Sequence, residues 1–245
     1  MMRNIALAFI IVLSAMLLIL IYYHYTGKVE NYSIGKPSSP PPGQQLTIKL
    51  PTPEKYGQMT VEEAISKRRS IRSYKDEPLT LFKISQLLWA AQGITSKDGK
   101  RAAPSAGATY PIELYLVVGA AENLEPGVYH YNPQNHSLTL VFTGDVRTEL
   151  MDACLGQDWV GEAPVSIVIC AVYERTTARY GERGVRYVHI EVGCVCENIY
   201  LEATSLGLGT VAVGAFYDDE VANILQLPES VKPLLVMPVG IPLYG

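Results

Sequence analysis

Two clusters in this chain combine residue types that chemistry can use. Arg68, Arg69, Ser70 and Arg72, in KRRSIRSY, set three guanidiniums beside a hydroxyl. A guanidinium is a planar fork of charged donors, so the group can grip a phosphate through charge-assisted hydrogen bonds. Downstream, Ala103 to Pro111 reads APSAGATYP, small residues and two prolines just before an apolar run. Glycine and alanine let a main chain approach a ligand closely, while proline fixes its own φ and restricts the residue before it. That is a surface on which something flat can lie, and the two clusters together describe a flat ring system carrying a phosphate. The arginines alone also fit a solvated helix end, where cations complement the dipole. The small-residue loop decides for the ligand.

The elements that must position these residues follow from periodicity and caps. Thr60 and Glu63 form a capping box for a helix running to Arg69, and a second helix begins at Thr80 with Leu81, Ile84, Leu87, Leu88 and Ala91 on one face. Ile112 to Val118 alternates as a strand, and Gly127 to Tyr131 with Leu138 to Phe142 flank a turn at Asn132 to His136. Val165 to Val172 is nearly continuously apolar, which suits a central strand covered on both sides. The longest helix runs from Val185 to Leu206 and stops at Gly207. Leu208 to Phe216 then reads as strand and turn, Asp218 to Leu225 as a short helix, and Leu234 to Val239 as a last strand. Helices and strands mix without a βαβ rhythm, and neither GxGxxG nor GxxxxGKS occurs. The class expected is α+β.

The 245 residues are 48% hydrophobic, ample for a core, and the net charge of -4 argues against a nucleic-acid partner. Ile5 to Ile21 carries no charge and, with Tyr22 and Tyr23, reaches the roughly 20 residues a bilayer crossing needs. Arg3 precedes it, tyrosines sit at its end and no small-residue cleavage site follows, so a single-pass, uncleaved membrane anchor is expected. Flanking charges nearly balance; the domain is placed outside the cytoplasm on a small margin, with the cytoplasmic side open. Residues 26–57 hold six prolines among polar residues and form a linker, in which Gln45 to Leu50 alternates as an edge strand. The organisation is thus an anchor over 1–25, a linker and edge segment over 26–57, and a domain over 58–245. Cys154, Cys170, Cys194 and Cys196 show neither disulfide nor metal spacing and read as buried thiols.

Taken in order, LPTPEKYG, VEEAISKRRSIRSY, LLWAAQGIT, APSAGATYP, YGERGVRY with Glu191 and Asn198, LGLGTVAVGAF and MPVGIP resemble the nitroreductase-like flavoproteins, specifically the SagB-type dehydrogenase branch that includes the peptide azoline oxidases. The resemblance spans Ile48 to Gly245 and implies an α+β fold, a mixed sheet flanked by helices, working as a homodimer with FMN at the subunit interface. It implies that Arg68, Arg69, Ser70 and Arg72 hold the FMN phosphate and ribityl chain. Pro104, Ser105, Ala106 and Gly107 would pack on the isoalloxazine, and the backbone of Val213, Gly214 and Ala215 would lie near flavin N5. Gln92 and Tyr110 are substrate-side candidates. Arg186 and Tyr187 stand nearest to the Lys-Tyr base pair of azoline oxidation, although arginine is a poor proton acceptor. Family members often carry a histidine near Cys194. The function implied is hydride transfer through N5 between a small organic or peptide substrate and a second donor or acceptor, NAD(P)H being a candidate donor. Two other readings stand beside it: a reductive deiodinase-like flavoenzyme, and a membrane-anchored flavin- or ligand-binding module without redox turnover.

Overall fold

The computed structural model describes residues 46–244, so the expected anchor over 5–21 and most of the linker lie outside the described residues. Among those described, no helix is long and apolar enough to cross a membrane. Seven strands, β1 (Thr47–Lys49), β2 (Ile112–Val118), β3 (Gly127–Asn132), β4 (Ser137–Thr143), β5 (Val165–Ala171), β6 (Gly209–Thr210) and β7 (Lys232–Gly240), form one sheet in the order β1-β4-β3-β2-β5-β7-β6. All pairs of these strands are antiparallel, which corrects the mixed sheet expected. The links from β2 to β3 and from β3 to β4 are too short for a parallel crossover, which takes a dozen or more residues, so they reverse the chain. Among the described residues, parallel pairing is confined to the isolated bridges Ser70 with Thr210 and Leu79 with Ala121.

Among the described residues, seven α-helices flank the sheet: α1 (Val61–Lys67), α2 (Leu81–Gln92), α3 (Arg147–Ala153), α4 (Asp158–Glu162), α5 (Glu174–Tyr180), α6 (Arg183–Ser205) and α7 (Asp218–Ile224). Alternation along the strands sorts two cores. Leu114, Leu116 and Val118 of β2 join Ile84, Leu87 and Leu88 of α2 and the stripe Val188, Val192, Val195, Ile199 of α6. Tyr115 and Val117 join Leu150 of α3, Val160 of α4 and Val221 of α7 on the other face. β5, between β2 and β7, is buried at every residue, as its apolar run required. The capping box at Thr60 and Glu63 and the Thr80 cap both form. Gly207, at φ 68, follows the end of α6. Helices α3, α4 and α5 were not expected. α5, ERTTARY, buries only Thr176 and so carries no apolar stripe to read.

β1 forms within the alternating edge segment and pairs with β4. The chain beyond it is held by His136, which lies in the β3–β4 turn. His136 Nε2 lies 2.7 Å from Ser85 Oγ and 3.1 Å from Pro51 O, and its Nδ1 lies 2.9 Å from the Tyr131 hydroxyl. Burial pulls its pKa below the ordinary 6.5, against a smaller upward pull from the Pro51 carbonyl. The unfolded chain therefore binds the proton more readily, and stability present above the unfolded pKa is lost as pH falls through the folded one. We expect the unfolding midpoint in urea to fall with acidification below about pH 6.5. A His136→Gln variant lacks that component, and equal pH slopes in the two proteins would remove the assignment.

Candidate active site

Arg68 leaves α1 in an extended conformation (φ -52, ψ 126), which lays the following residues alongside β6. Ile71 N–H donates to Thr210 O at 2.9 Å. Tyr200, on α6, joins this segment to the turn after β6. Its hydroxyl is 3.2 Å from Ser70 Oγ and accepts from Ala212 N–H at 2.8 Å, and the Arg68 guanidinium lies 5.1 Å from its ring centroid. Arg72 lies 5.5 Å from the Trp159 ring centroid. Arg69 instead folds back, donating to Ser66 O at 3.0 Å and Arg68 O at 2.7 Å. Among the described residues none of the three is paired with a carboxylate. The segment thus offers uncompensated positive charge to an anion. Removing the Tyr200 hydroxyl by Tyr200→Phe deletes one joint of this assembly, a loss of about 1 kcal/mol for a neutral hydrogen bond. Equilibrium unfolding should show that loss, with unchanged stability as the contrary result.

The turn at Val213 to Ala215 is only partly available. Val213 N–H donates to Val236 O at 2.8 Å and the residue is 3% exposed, so that donor is committed within the fold. Gly214 and Ala215 are exposed. A Cβ at Gly214 would touch only Leu235, at 3.7 Å, which leaves open space above the backbone. Gln157 Nε2 fixes the turn by donating to Ala215 O at 3.1 Å and Cys154 O at 2.7 Å. Cys154 is itself buried, and desolvation pushes its thiol up to about 12, so it is inert.

The small-residue loop closes as a tight turn over Ala106–Ala108, with Gly107 at φ 60. A Cβ there would collide with the Tyr180 hydroxyl and the Arg179 guanidinium, and Arg179 Nη1 donates to Gly107 O at 3.0 Å. Glycine at this position therefore admits side chains of α5. Ser105 Oγ accepts from Tyr110 N–H at 2.9 Å and holds Tyr110 at φ 46. The Arg101 guanidinium lies 4.5 Å from the Tyr110 ring centroid and donates to Gln92 Oε1 at 2.8 Å. Gln92 is 1% exposed. It accepts from and orients Arg101, and Tyr110 is half-buried beside it.

Pro104 to Ala106 form one wall of a cavity of about 260 Å³, completed by Tyr187, Ile190, Glu191 and Cys194 of α6. Tyr187 packs edge-on against Tyr180, ring centroids 5.1 Å apart. Arg186 is not in this cavity. It is exposed and lines a separate shallow depression of about 700 Å³ with Arg183 and His189. Successive helix residues point about 100° apart, so the two neighbours expected to act together face different spaces. Glu191 is 2% exposed, and its Oε1 has no hydrogen-bond partner among the described residues. Burial holds its pKa above the ordinary carboxylate value, against smaller pulls from Ser105, Gln92 and Arg101. Tyr200, Trp159 and Arg101 were not anticipated. The spacing of Tyr187, Glu191 and Cys194 at i, i+4 and i+7 was the available signal for the cavity wall.

An antiparallel sheet between helical layers, an unpaired arginine segment and a small-residue loop on one long helix place the chain in the nitroreductase family, whose profile matches residues 65–241. Members of that family are generally FMN-dependent oxidoreductases. The chain is 50% identical over 198 residues to a nitroreductase-type protein of Methanocaldococcus jannaschii, covering 81% of this chain and 98% of the relative. It is 31% identical over 147 residues to the microcin B17-processing protein McbC of Escherichia coli, covering 58% of this chain and 54% of McbC. It is 26% identical over 196 residues to a Bacillus subtilis FMN reductase that uses NAD(P)H, covering 74% and 66%. Among solved structures, a nitroreductase-type protein of Ralstonia eutropha superposes with a TM-score of 0.73 at 30% identity, covering 85% of this chain and 95% of the other. A chain of the Escherichia coli microcin synthetase McbBCD complex, with truncated pro-MccB17 bound, gives 0.64 at 28% identity, covering 78% and 75%.

Proposed function

We propose that this chain is an FMN-dependent oxidoreductase of the SagB type, passing hydride between a small organic or peptide substrate and a second donor or acceptor. The observation that carries the reading is the pair of guanidiniums, Arg68 and Arg72, without carboxylate partners among the described residues, with Tyr200 joining Arg68 and Ser70 to Ala212, two residues before the exposed Gly214. Arg68, Ser70 and Arg72 would hold the phosphate, for which forked charged donors are suited. Pro104 to Gly107 would flank the ring, and the Gly214 and Ala215 N–H groups are the donors to its polar edge. The flavin supplies hydride acceptance and donation through N5, so the protein needs only to bind, orient and exclude water. Tyr187, which lines the cavity beside the loop, would be the residue of the Arg186-Tyr187 pair that handles a proton. The named activity of the FMN reductase relative supports NAD(P)H as a donor, and that of McbC supports a peptide substrate.

A homodimer and the membrane anchor belong to the same proposal. Val61 and Ile65 on α1 and Val185 and Ile190 on α6 are exposed apolar residues that a second copy would cover. The anchor rests on the uncharged run from Ile5 to Ile21, with the domain outside the cytoplasm. The test of function is the visible absorbance spectrum of the purified protein with identification of the cofactor released by heat. Yellow protein with about one FMN per chain is expected. Folded, colourless protein that does not take up added FMN overturns the reading.

A further inference from the structure

The turn that presents the Gly214 and Ala215 N–H groups is clamped on both sides. Before it, Val213 N–H donates to Val236 O at 2.8 Å and Val236 N–H to Val213 O at 2.9 Å. After it, Tyr217 N–H donates to Ala153 O at 2.9 Å. Between these clamps the hydrogen bond that holds the turn comes from Gln157, whose Nε2 donates to Ala215 O at 3.1 Å and to Cys154 O at 2.7 Å. A side-chain amide has two N–H bonds to give, so both are committed. The Gly214 and Ala215 N–H groups themselves donate to nothing among the described residues.

The segment that delivers this amide is strained. Leu155 N–H donates to Asp152 O and Gly156 N–H to Met151 O, both at 3.0 Å, closing α3 in the arrangement where glycine ordinarily takes the left-handed position. Here that position falls to Leu155, at φ 61, and the glycine follows it at φ 69. A bulky residue at positive φ is an outlier, and Leu155 is 53% exposed, so packing does not offset the strain. The two left-handed residues lead directly to Gln157. Two residues further on, the Trp159 ring centroid lies 5.5 Å from the Arg72 guanidinium. One short segment therefore touches both the arginine cluster and the turn.

We propose that Gln157 is a positioning residue that aims the Gly214 and Ala215 N–H groups and thereby sets the reduction potential of the flavin. The inference rests on reading this turn as the support of the flavin's polar edge. Reduction makes that edge more electron-rich, and fixed donors aimed where negative charge grows favour the reduced form. Without the anchor at Ala215 O, the chain between Val213 and Tyr217 can turn about its soft dihedrals, Gly214 most freely, and the donors lose their aim.

The test is the two-electron reduction potential of the full-length, FMN-loaded protein, measured by equilibration with a reference dye. Gln157→Met keeps the length of the side chain and donates nothing, so a packing role survives it and a donating role does not. It should shift the ratio of affinities for reduced and oxidised FMN about tenfold toward the oxidised form, a fall of about 30 mV. Gln157→Glu, which at neutral pH sets a carboxylate against two carbonyl oxygens, should lower the potential at least as far. A potential equal to or above that of the wild type in either variant, folded by circular dichroism, overturns the proposal. If the protein takes up no FMN, the flavin reading fails, and amide hydrogen exchange at Tyr217 in the flavin-free protein decides the role of Gln157. Exchange faster by about tenfold or more in Gln157→Met supports the clamp, and equal exchange overturns it.

Discussion

Replacing Arg68 and Arg72 together with alanine should weaken FMN retention by about 3 to 6 kcal/mol, or roughly 10² to 10⁴-fold, since a hydrogen bond to a charged group contributes about 1.5 to 3 kcal/mol. The expectation follows from two guanidiniums that rest on aromatic faces, Tyr200 and Trp159, with no carboxylate paired to them among the described residues. Stacking leaves the forks free to turn toward a phosphate. Arg69 supplies the internal control. It already donates to two carbonyls at the end of α1, so Arg69→Ala should change retention by less than about tenfold. Fluorescence titration of the flavin-free proteins measures all three. Equal affinity in the double variant and the wild type would remove the phosphate assignment, provided thermal unfolding shows both folded.

The second large effect lies in packing beneath the same segment. A Cβ at Gly209 would stand 2.7 Å from the Cβ and Cγ2 of Ile71, atoms of a branched side chain that cannot swing aside. Gly209→Val should therefore destabilise the fold by about 1 to 3 kcal/mol through overpacking. It should also disturb the Ser70–Thr210 bridge that sets the position of Arg68 and Arg72, weakening flavin retention as well. Urea unfolding and flavin titration read the two effects separately. Combining Gly209→Ala with Ile71→Ala should restore part of the loss of Gly209→Ala, because neighbours in contact do not add. A Gly209→Val protein as stable as the wild type would show that β6 can move away from Ile71 without cost.

Much of this was legible where local chemistry and periodicity agree. The capping box at Thr60, the apolar stripe from Leu81 to Ala91 and the buried run of β5 each specify an element without help from distant residues. The stretch from Leu208 to Phe216 misled, because Val211 and Val213 are buried, as strand residues would be. Pairing is nevertheless limited to Gly209–Thr210 and the single Val213–Val236 bridge, and the ladder depends on partners far away in sequence. The same limit applies at the site. Arg68, Ser70 and the small-residue loop announce themselves by composition, whereas the joint at Tyr200 exists only because residues 130 apart meet. The burial of Gln92 was not legible for a related reason: it follows the apolar stripe of α2, and burial at that end is a property of the assembled layer.

Helix α6 has a consequence for how this protein can change over time. Tyr187 and Glu191 stand in its first half and Tyr200 near its end, with nine residues from Glu191 to Tyr200, about 14 Å at the α-helical rise. One continuous rod therefore carries a wall of the loop cavity and the joint of the arginine segment, so their separation comes in steps of one residue, each step also a rotation of about 100°. Side chains along the rod can be exchanged freely by comparison, altering what the domain accepts. The length between its two stations is held constant by geometry, and new specificities must arise on a ruler of fixed gauge.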